Sequence, residues 1–547
     1  MCGIIGTTTG YKFDNFLLNT ISHRGPNARG YFHDQNVSLG HVRLSIIDQT
    51  GGIQPMIDDD VVLIFNGEIY NYKSIRQELK KEGVRFFTRS DTEVLLRAYK
   101  HFGINKTLEK LNGMFAFAIY DKLNKKVYIA RDRMGIKPLF YSSVNGFSFS
   151  SELSPLVEII GKHNLTISAP ALSMYFASFY IASPLTIWNE IHSLEPGNFI
   201  EYNLETKCVT RHAYWWIPIY ERTEDSIDYL HELLYDSTKL RMNSDVPYGA
   251  YLSGGVDSSI ITGIMSKISY DQIKTYTAEI RDDVLNERQY AEIVSKKFNT
   301  NHTVLPIEYQ DITVKKLKNL LKLFGQPFAD SSIVPTYEIS KQISQHITVA
   351  LGGDGSDELF CGYNKYNNFD EGIQNIFYRN KDINRILNKK YCIDVYGYMK
   401  DIIGYHAKED KELLRVLDIR FFLEGDILQK VDRLSMANSL EVRVPFLDHR
   451  VVEYSGALQK NILFNDIRKF PIKSILEKDF SKEFVHRDKI GFMLDTNNFH
   501  NFLISELKSR NTIGKEFIKL DTSIYDDAYL SFAVLMFKLW LEDNYES

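Results

Sequence analysis

Cysteine is scarce in this chain: four occur among 547 residues, Cys2, Cys208, Cys361 and Cys392. Their spacing suits neither a disulfide framework nor a thiolate metal site, so a disulfide-stapled secreted scaffold is excluded and a reducing, cytoplasmic compartment is expected. No apolar run is long enough to span a bilayer, and no charged segment followed by an apolar one precedes Cys2. Neither a transmembrane anchor nor a secretory leader is expected. Charge of one sign is not in excess either. The formal net charge of −5 is small for this length, so no nucleic-acid partner and no anionic membrane is expected. Internal repeats and low-complexity tracts are also missing.

What is present suffices for two large cores, since 547 residues exceed what one ordinary core organises. The first half reads as short strands with polar turns, at 37–39, 61–65, 115–120, 127–130, 139–141 and 147–150. Helical periodicity covers 74–82 and 92–101, with Asp91 and Thr92 as candidate caps. This order predicts an α+β sandwich of layered sheets over 1–205, then a linker at 206–224 and a second domain at 225–547. In that second domain, strands at 248–252, 273–280 and 346–351 alternate with helices at 258–266 and 290–297, which predicts a parallel α/β sheet. From Tyr363 onward the spacing is mostly helical.

Cys2 stands in Met1-Cys2-Gly3-Ile4-Ile5-Gly6. With Met1 removed it carries a thiol and a free α-amino group on one residue, so the amine can serve as base for its own nucleophile. Asn66-Gly67-Glu68-Ile69-Tyr70-Asn71 follows the strand ending at Phe65, where a side-chain amide and a glycine N–H can form an oxyanion hole. Arg43, in Arg43-Leu44-Ser45-Ile46, offers a planar fork for a carboxylate. Asp91, in Ser90-Asp91-Thr92-Glu93, offers an anion for an ammonium group. Taken singly, Cys2 reads as an inert buried residue, Arg24-Gly25-Pro26 as a turn and Asp91 as a helix cap.

Taken in order with His23-Arg24-Gly25-Pro26, these motifs resemble the class II glutamine amidotransferase domain, an N-terminal nucleophile fold. The resemblance implies that Cys2 attacks the glutamine side-chain amide and that Asn66 and Gly67 stabilise the oxyanion. It also implies that Arg43 holds the substrate α-carboxylate, and that Glu68 and Asp91 hold its α-amino group. Asn27 departs from the pattern, which usually has aspartate after Arg-Gly-Pro.

The second constellation begins at Ser253-Gly254-Gly255-Val256-Asp257-Ser258, between a strand and a helix. Its hydroxyls and backbone N–H groups suit pyrophosphate, and Asp257 suits Mg²⁺. The loop is similar to that of ATP pyrophosphatases and lacks the Gly-Lys-Ser/Thr ending of kinase-type loops, so adenylation is expected in place of phosphoryl transfer. Gly352-Gly353-Asp354-Gly355-Ser356-Asp357-Glu358 follows the strand ending at Leu351. Ligands bind at strand C-termini in open α/β sheets, so the two loops are expected to face each other.

With Lys430-Val431-Asp432-Arg433, Glu441-Val442-Arg443-Val444-Pro445 and Arg487-Asp488-Lys489-Ile490-Gly491-Phe492, the chain resembles the glutamine-hydrolysing asparagine synthetases over almost its whole length. The resemblance implies that Leu252, Ser253, Gly254, Gly255, Asp257, Ser258 and Gly353 hold ATP. Asp257 and Asp357 would ligate Mg²⁺, and Lys469 would lie near the phosphates. Asp354 stands where the family commonly has glutamate beside the acyl-adenylate, and one methylene less leaves room for a bulkier acid. The implied substrates are glutamine, ATP and a carboxylic acid acceptor. Aspartate is the first choice and a sugar uronic acid of surface polysaccharide the second, with Asn364 and Tyr366 as candidate partners of sugar hydroxyls. A catalytically silent scaffold on the same fold is the third reading, and a homodimer stays open.

Overall fold

The computed structural model describes residues 2–13, 15–217, 223–280, 287–307, 312–366, 380–404, 410–487, 496–519 and 522–545. The first half folds into strands β1 (Gly3–Thr7), β2 (Ala28–His33), β3 (Ser38–Arg43), β4 (Met56–Asp58), β5 (Val61–Ile69), β6 (Gly113–Asp121), β7 (Lys126–Arg131), β8 (Phe140–Ser142), β9 (Ser148–Ser150), β10 (His192–Ser193), β11 (Asn198–Asn203) and β12 (Val209–Ala213). They build two antiparallel sheets of six strands, ordered β10-β8-β9-β1-β3-β2 and β12-β11-β7-β6-β5-β4. Ile4, Leu39 and Phe149 from one sheet pack on Val62, Ile64, Ala116 and Ile129 from the other, forming the buried layer between them. Alternate residues of β5, Leu63 and Phe65, face away from that layer and are buried with Ile75, Leu79, Leu95 and Leu96 of the helices Tyr72–Lys81 and Asp91–Lys110. Both faces of β5 are thus covered, which is why it reads as a continuous apolar run.

Two local expectations are corrected. The cap of Asp91–Lys110 is Ser90, whose side chain accepts from the Glu93 N–H at 3.2 Å, and neither Asp91 nor Thr92 caps it. Asp91 instead accepts from the Ile69 N–H at 3.0 Å, reaching across to the end of β5. The helix read over 92–101 does end close to His101, since Gly103 is non-helical at φ 74° and kinks the chain into a second helical stretch that reaches Lys110. Within 206–224, β12 pairs along β11 through Ala213, so that part belongs to the edge of the second antiparallel sheet.

In the second half, β13 (Tyr248–Tyr251), β14 (Lys274–Ile280), β15 (Asn301–Ile307), β16 (Val349–Leu351) and β17 (Glu441–Arg443) form one parallel sheet ordered β15-β14-β13-β16-β17. The order reverses between β13 and β16, so a crevice opens beyond their C-terminal ends. β17 interrupts the stretch read as mostly helical, and its three residues are fully within the core. Among the described residues no helix is long and apolar enough to cross a membrane.

The two halves meet through buried charge. Arg24 pairs with Asp432 at 2.8 Å and with Glu152 at 3.1 Å, Lys137 pairs with Asp432 at 2.9 Å, and Arg131 pairs with Glu424 at 2.8 Å. Asn112 donates to Asp448 at 2.9 Å.

Candidate functional site

The structure gathers the candidate residues into two groups, one beside each type of sheet. Cys2 precedes β1 and is buried. Its backbone N–H donates to Asn66 Oδ1 at 3.1 Å, its carbonyl accepts from Arg24 Nε at 3.1 Å, and its Sγ lies 4.0 Å from the Leu44 carbonyl. Burial pushes the thiol above its ordinary pKa, with the charge of the amino terminus, the Leu44 carbonyl contact and then Arg43 pulling against it. A resting thiol in that condition needs a base to become a nucleophile.

Asn66 and Gly67 lie in β5, where Asn66 pairs across to Ala116. The Asn66 Oδ1 contact turns its amide nitrogen the other way, and that Nδ2 is buried without a hydrogen-bond partner. Gly67 adopts φ 149°, and a Cβ there would stand 2.1 Å from the Met114 carbonyl oxygen, so only glycine fits. Arg43 is locked by the carbonyls of Gln49 and Asp48, each 2.8 Å away.

Glu68 and Asp91 converge below this strand. Burial raises the Asp91 carboxyl to about 6. Burial, then the charges of Asp91 and Glu441, raise Glu68 well above the usual carboxylate range. Glu68 Oε2 is buried without a hydrogen-bond partner, and its Oε1 lies 3.7 Å from Arg443. Arg443 in turn holds Glu441 at 2.6 Å. Three buried acids cluster here with Arg443 as the cation in direct contact and Lys137 acting on Glu441, and an added ammonium group would favour the charged forms of Glu68 and Asp91.

Glu441 and Arg443 carried no site role in the sequence reading, although both stood in a quoted motif. Two residues apart on a strand, they share one face. That this face meets the pocket of the other domain is a tertiary fact no local pattern holds.

At the parallel sheet, the loop after β13 is closed by its own hydroxyls. Ser253 Oγ lies 3.1 Å from Ser258 Oγ and accepts from the Gly255 N–H at 3.1 Å. Leu252 beneath it is buried, its N–H donating to the Tyr276 carbonyl at 2.8 Å. Gly254 adopts φ 74°. Gly255 caps the helix Val256–Ile268 with no side-chain cap, so the first-turn N–H groups are available to an anion. Arg487 donates to the Gly254 carbonyl, and its guanidinium lies 4.0 Å from the Tyr290 ring centre, placing a second cation at this loop. Residues 488–492 of its motif, like Met1, lie outside the described residues.

The two loops do face each other. A Cβ at Gly353 would stand 2.8 Å from the Asp257 Cβ, so the loops touch where a glycine permits it. Asp257 Oδ2 lies 2.6 Å and Asp357 Oδ1 2.7 Å from Lys469 Nζ, so both acids converge on one point. Asp257 Oδ1 is buried without a hydrogen-bond partner. This donor set fits Mg²⁺, which takes few protein carboxylates and completes its shell with phosphate and water. Among the described residues no cluster of three or more acidic, histidine or cysteine side chains is formed for a metal. Asp354 folds back toward Gly352, where a Cβ would stand 2.8 Å from its Oδ2. Asn364 accepts from Arg468. Tyr366 is corrected as a partner of sugar hydroxyls: it is buried and its hydroxyl donates to Asp418, because the π-helical segment Asp418–Leu428 brings that acid against it.

Buried Cys2 beside Asn66, in one chain with facing glycine-rich loops that carry Asp257 and Asp357, is the arrangement expected of a glutamine amidotransferase coupled to an ATP-using carbon–nitrogen ligase. Residues 1–215 match the family described as a glutamine amidotransferase domain, and residues 229–512 match asparagine synthase. The glutamine-hydrolysing asparagine synthetase 1 of Bacillus subtilis (strain 168) is 30% identical, over 100% of this chain and 97% of that protein. Asparagine synthetase 2 of the same organism is 30% identical over 90% of this chain and 71% of its own, and asparagine synthetase 3 is 29% identical over 87% and 84%. The chain belongs to the glutamine-hydrolysing asparagine synthetase family.

Proposed function

We propose that the protein converts a carboxylate to its amide with glutamine as nitrogen donor and ATP as activator, and that the acceptor is aspartate. The observation that carries this is the pairing, in one chain, of Cys2 beside the unpartnered Asn66 Nδ2 with two acids converging at the mouth of the parallel sheet.

In the first site the α-amino group of Cys2, freed by removal of Met1, takes the thiol proton. Sγ then attacks the side-chain carbonyl carbon of glutamine. The oxyanion is received by Asn66 Nδ2 and the Gly67 N–H, donors already aimed and desolvated. The Cys2 ammonium returns its proton to the amide nitrogen, ammonia leaves, and water releases glutamate from the thioester and restores the thiol. Arg43 orients the α-carboxylate, while Glu68 and Asp91 take the α-ammonium group, whose charge would favour their ionised forms.

In the second site an acceptor oxygen attacks the α-phosphorus of ATP and pyrophosphate departs. Ser253, Gly254, Gly255, Ser258 and the exposed helix N–H groups hold the leaving phosphates, with Leu252 and Gly353 shaping the loops. Lys469 offsets the charge that develops on them. Mg²⁺, when held by Asp257 and Asp357, adds further charge neutralisation. Ammonia attacks the acyl carbon, AMP leaves, and Asp354 assists in placing the nitrogen.

Aspartate is favoured by the names of the full-length relatives. A sugar uronate is the second reading, favoured by the short side chain of Asp354. Purified protein with ATP, Mg²⁺ and ammonium is offered L-aspartate and, separately, nucleotide-linked uronic acids, with amide and AMP measured together. Asparagine with no turnover of the sugars supports the first reading. Failure on aspartate together with conversion of a uronate overturns it.

A further inference from the structure

Lys469 makes two ion pairs at once from a buried position. Its Nζ is 2.6 Å from Asp257 and 2.7 Å from Asp357, and the residue is 7% exposed. The surroundings are shaped around this contact. A Cβ at Gly362 would stand 2.0 Å from Asp357 Oδ1 and 2.3 Å from Lys469 Cε, so any larger residue there would displace the pair. Lys469 itself sits in the left-handed region, at φ 55° and ψ 33°, just before the helix Phe470–Leu476. A non-glycine residue held in that conformation is a cost the surrounding fold sustains, and it directs this side chain into the crevice.

We propose that Lys469 is the resident cation of the site: it occupies the place between the two acids, keeps a free divalent cation out, and yields only to one that arrives with a nucleoside polyphosphate. The inference rests on reading Asp257 and Asp357 as the metal-holding pair. Its physical basis is charge balance in a partly desolvated crevice. A lysine and a divalent cation sharing the two carboxylates that contact Lys469 would repel each other at close range, even with Glu358 and the Lys365-paired Asp418 also acting on Asp357, and an expelled lysine with no new partner would be a buried uncompensated charge. Polyphosphate oxygens remove both objections, because they offer the displaced ammonium an anion and share the incoming cation. Metal and nucleotide therefore enter as one complex, and the crevice without nucleotide is closed by its own ion pairs.

Equilibrium dialysis of Mn²⁺ tests this on the full chain, with and without an ATP analogue carrying a methylene between the α and β phosphates. Wild type is expected to retain Mn²⁺ only with the analogue. Lys469→Gln is expected to retain it without nucleotide, at least roughly tenfold more tightly than wild type, and Mn²⁺ alone should raise the melting temperature of the variant but not of wild type. Lys469→Asn, which suits the left-handed backbone, repeats the measurement so that a folding defect is not mistaken for a result. Equal Mn²⁺ binding by wild type and both variants without nucleotide would overturn the role of Lys469, as would no binding by either variant. If that equal binding is abolished by Asp257→Asn, the metal-holding pair stands while the lysine's role falls. If Asp257→Asn changes Mn²⁺ retention in no condition, the underlying reading of the acids falls as well.

Discussion

The pocket around Cys2 and the crevice between β13 and β16 wait for their ligands in opposite ways. The pocket keeps polar atoms without partners in a buried wall, Asn66 Nδ2 and Glu68 Oε2. The crevice also leaves Asp257 Oδ1 without a hydrogen-bond partner, but it pairs both of its acids with an internal lysine. An unsatisfied buried donor or acceptor costs about 1–3 kcal/mol, which the amidotransferase fold carries permanently in exchange for donors needing no rearrangement. The crevice avoids leaving two facing carboxylates unscreened, and its ligand must displace a contact in order to bind. On the proposed reading, one region is preorganised and the other is held closed by its own charges.

The largest effect that would break this division comes from Cys2→Ala. Glutamine-dependent amide formation should vanish while synthesis from ammonium salts continues, and loss of both in a folded protein would contradict two separate sites. Asp257→Asn should do the reverse, lowering synthesis from either nitrogen source by roughly 10³-fold or more, since it removes several kcal/mol of charge stabilisation. Glutamine hydrolysis should persist in that variant, measured as glutamate release. Asn66→Ala sharpens the claim of preorganisation: glutaminase kcat should fall by roughly 10² to 10³, the cost of one oxyanion donor.

A smaller effect probes the seam between the regions. Asp432→Asn leaves Arg24 and Lys137 without their shared carboxylate, which should cost about 3 kcal/mol in denaturant unfolding. The smallest is a pH effect. Burial raises Asp91 to about 6, so its charge is lost as pH falls through that value and KM for glutamine should rise roughly severalfold between pH 7 and 5. Asp91→Asn should raise KM at pH 7 and flatten this dependence. The sign for stability is opposite: a carboxyl raised by folding favours the folded state most below its unfolded value and loses that contribution as pH rises through about 6.

The strands of the α+β sandwich that alternate or run apolar, such as β5 and β6, were legible because both their faces are buried. β2 was not, since its residues Ala28–His33 are largely exposed and carry no apolar alternation. The residues proposed for the glutamine site stand out because each lies in a short contiguous motif, and the structure brings Asn66 to Cys2 from 64 positions away. Glu441 and Arg443 were not, because their role depends on which surface the edge strand β17 meets. Lys469 was placed near phosphates by resemblance alone, and its double ion pair required the two loops to be seen face to face. Asp91 shows the limit of local rules: a residue at a helix start is first read as a cap, yet Ser90 caps while Asp91 reaches to Ile69.

Isotope transfer tests the central claim, that ATP activates the acceptor as an acyl-adenylate, most directly. L-aspartate labelled with ¹⁸O in its side-chain carboxylate is incubated with ATP, Mg²⁺ and ammonium, and the nucleotide products are weighed by mass spectrometry. The account expects one ¹⁸O in the phosphate of AMP for each asparagine formed. Label in inorganic phosphate alongside ADP, or asparagine formed with unlabelled AMP, would contradict it.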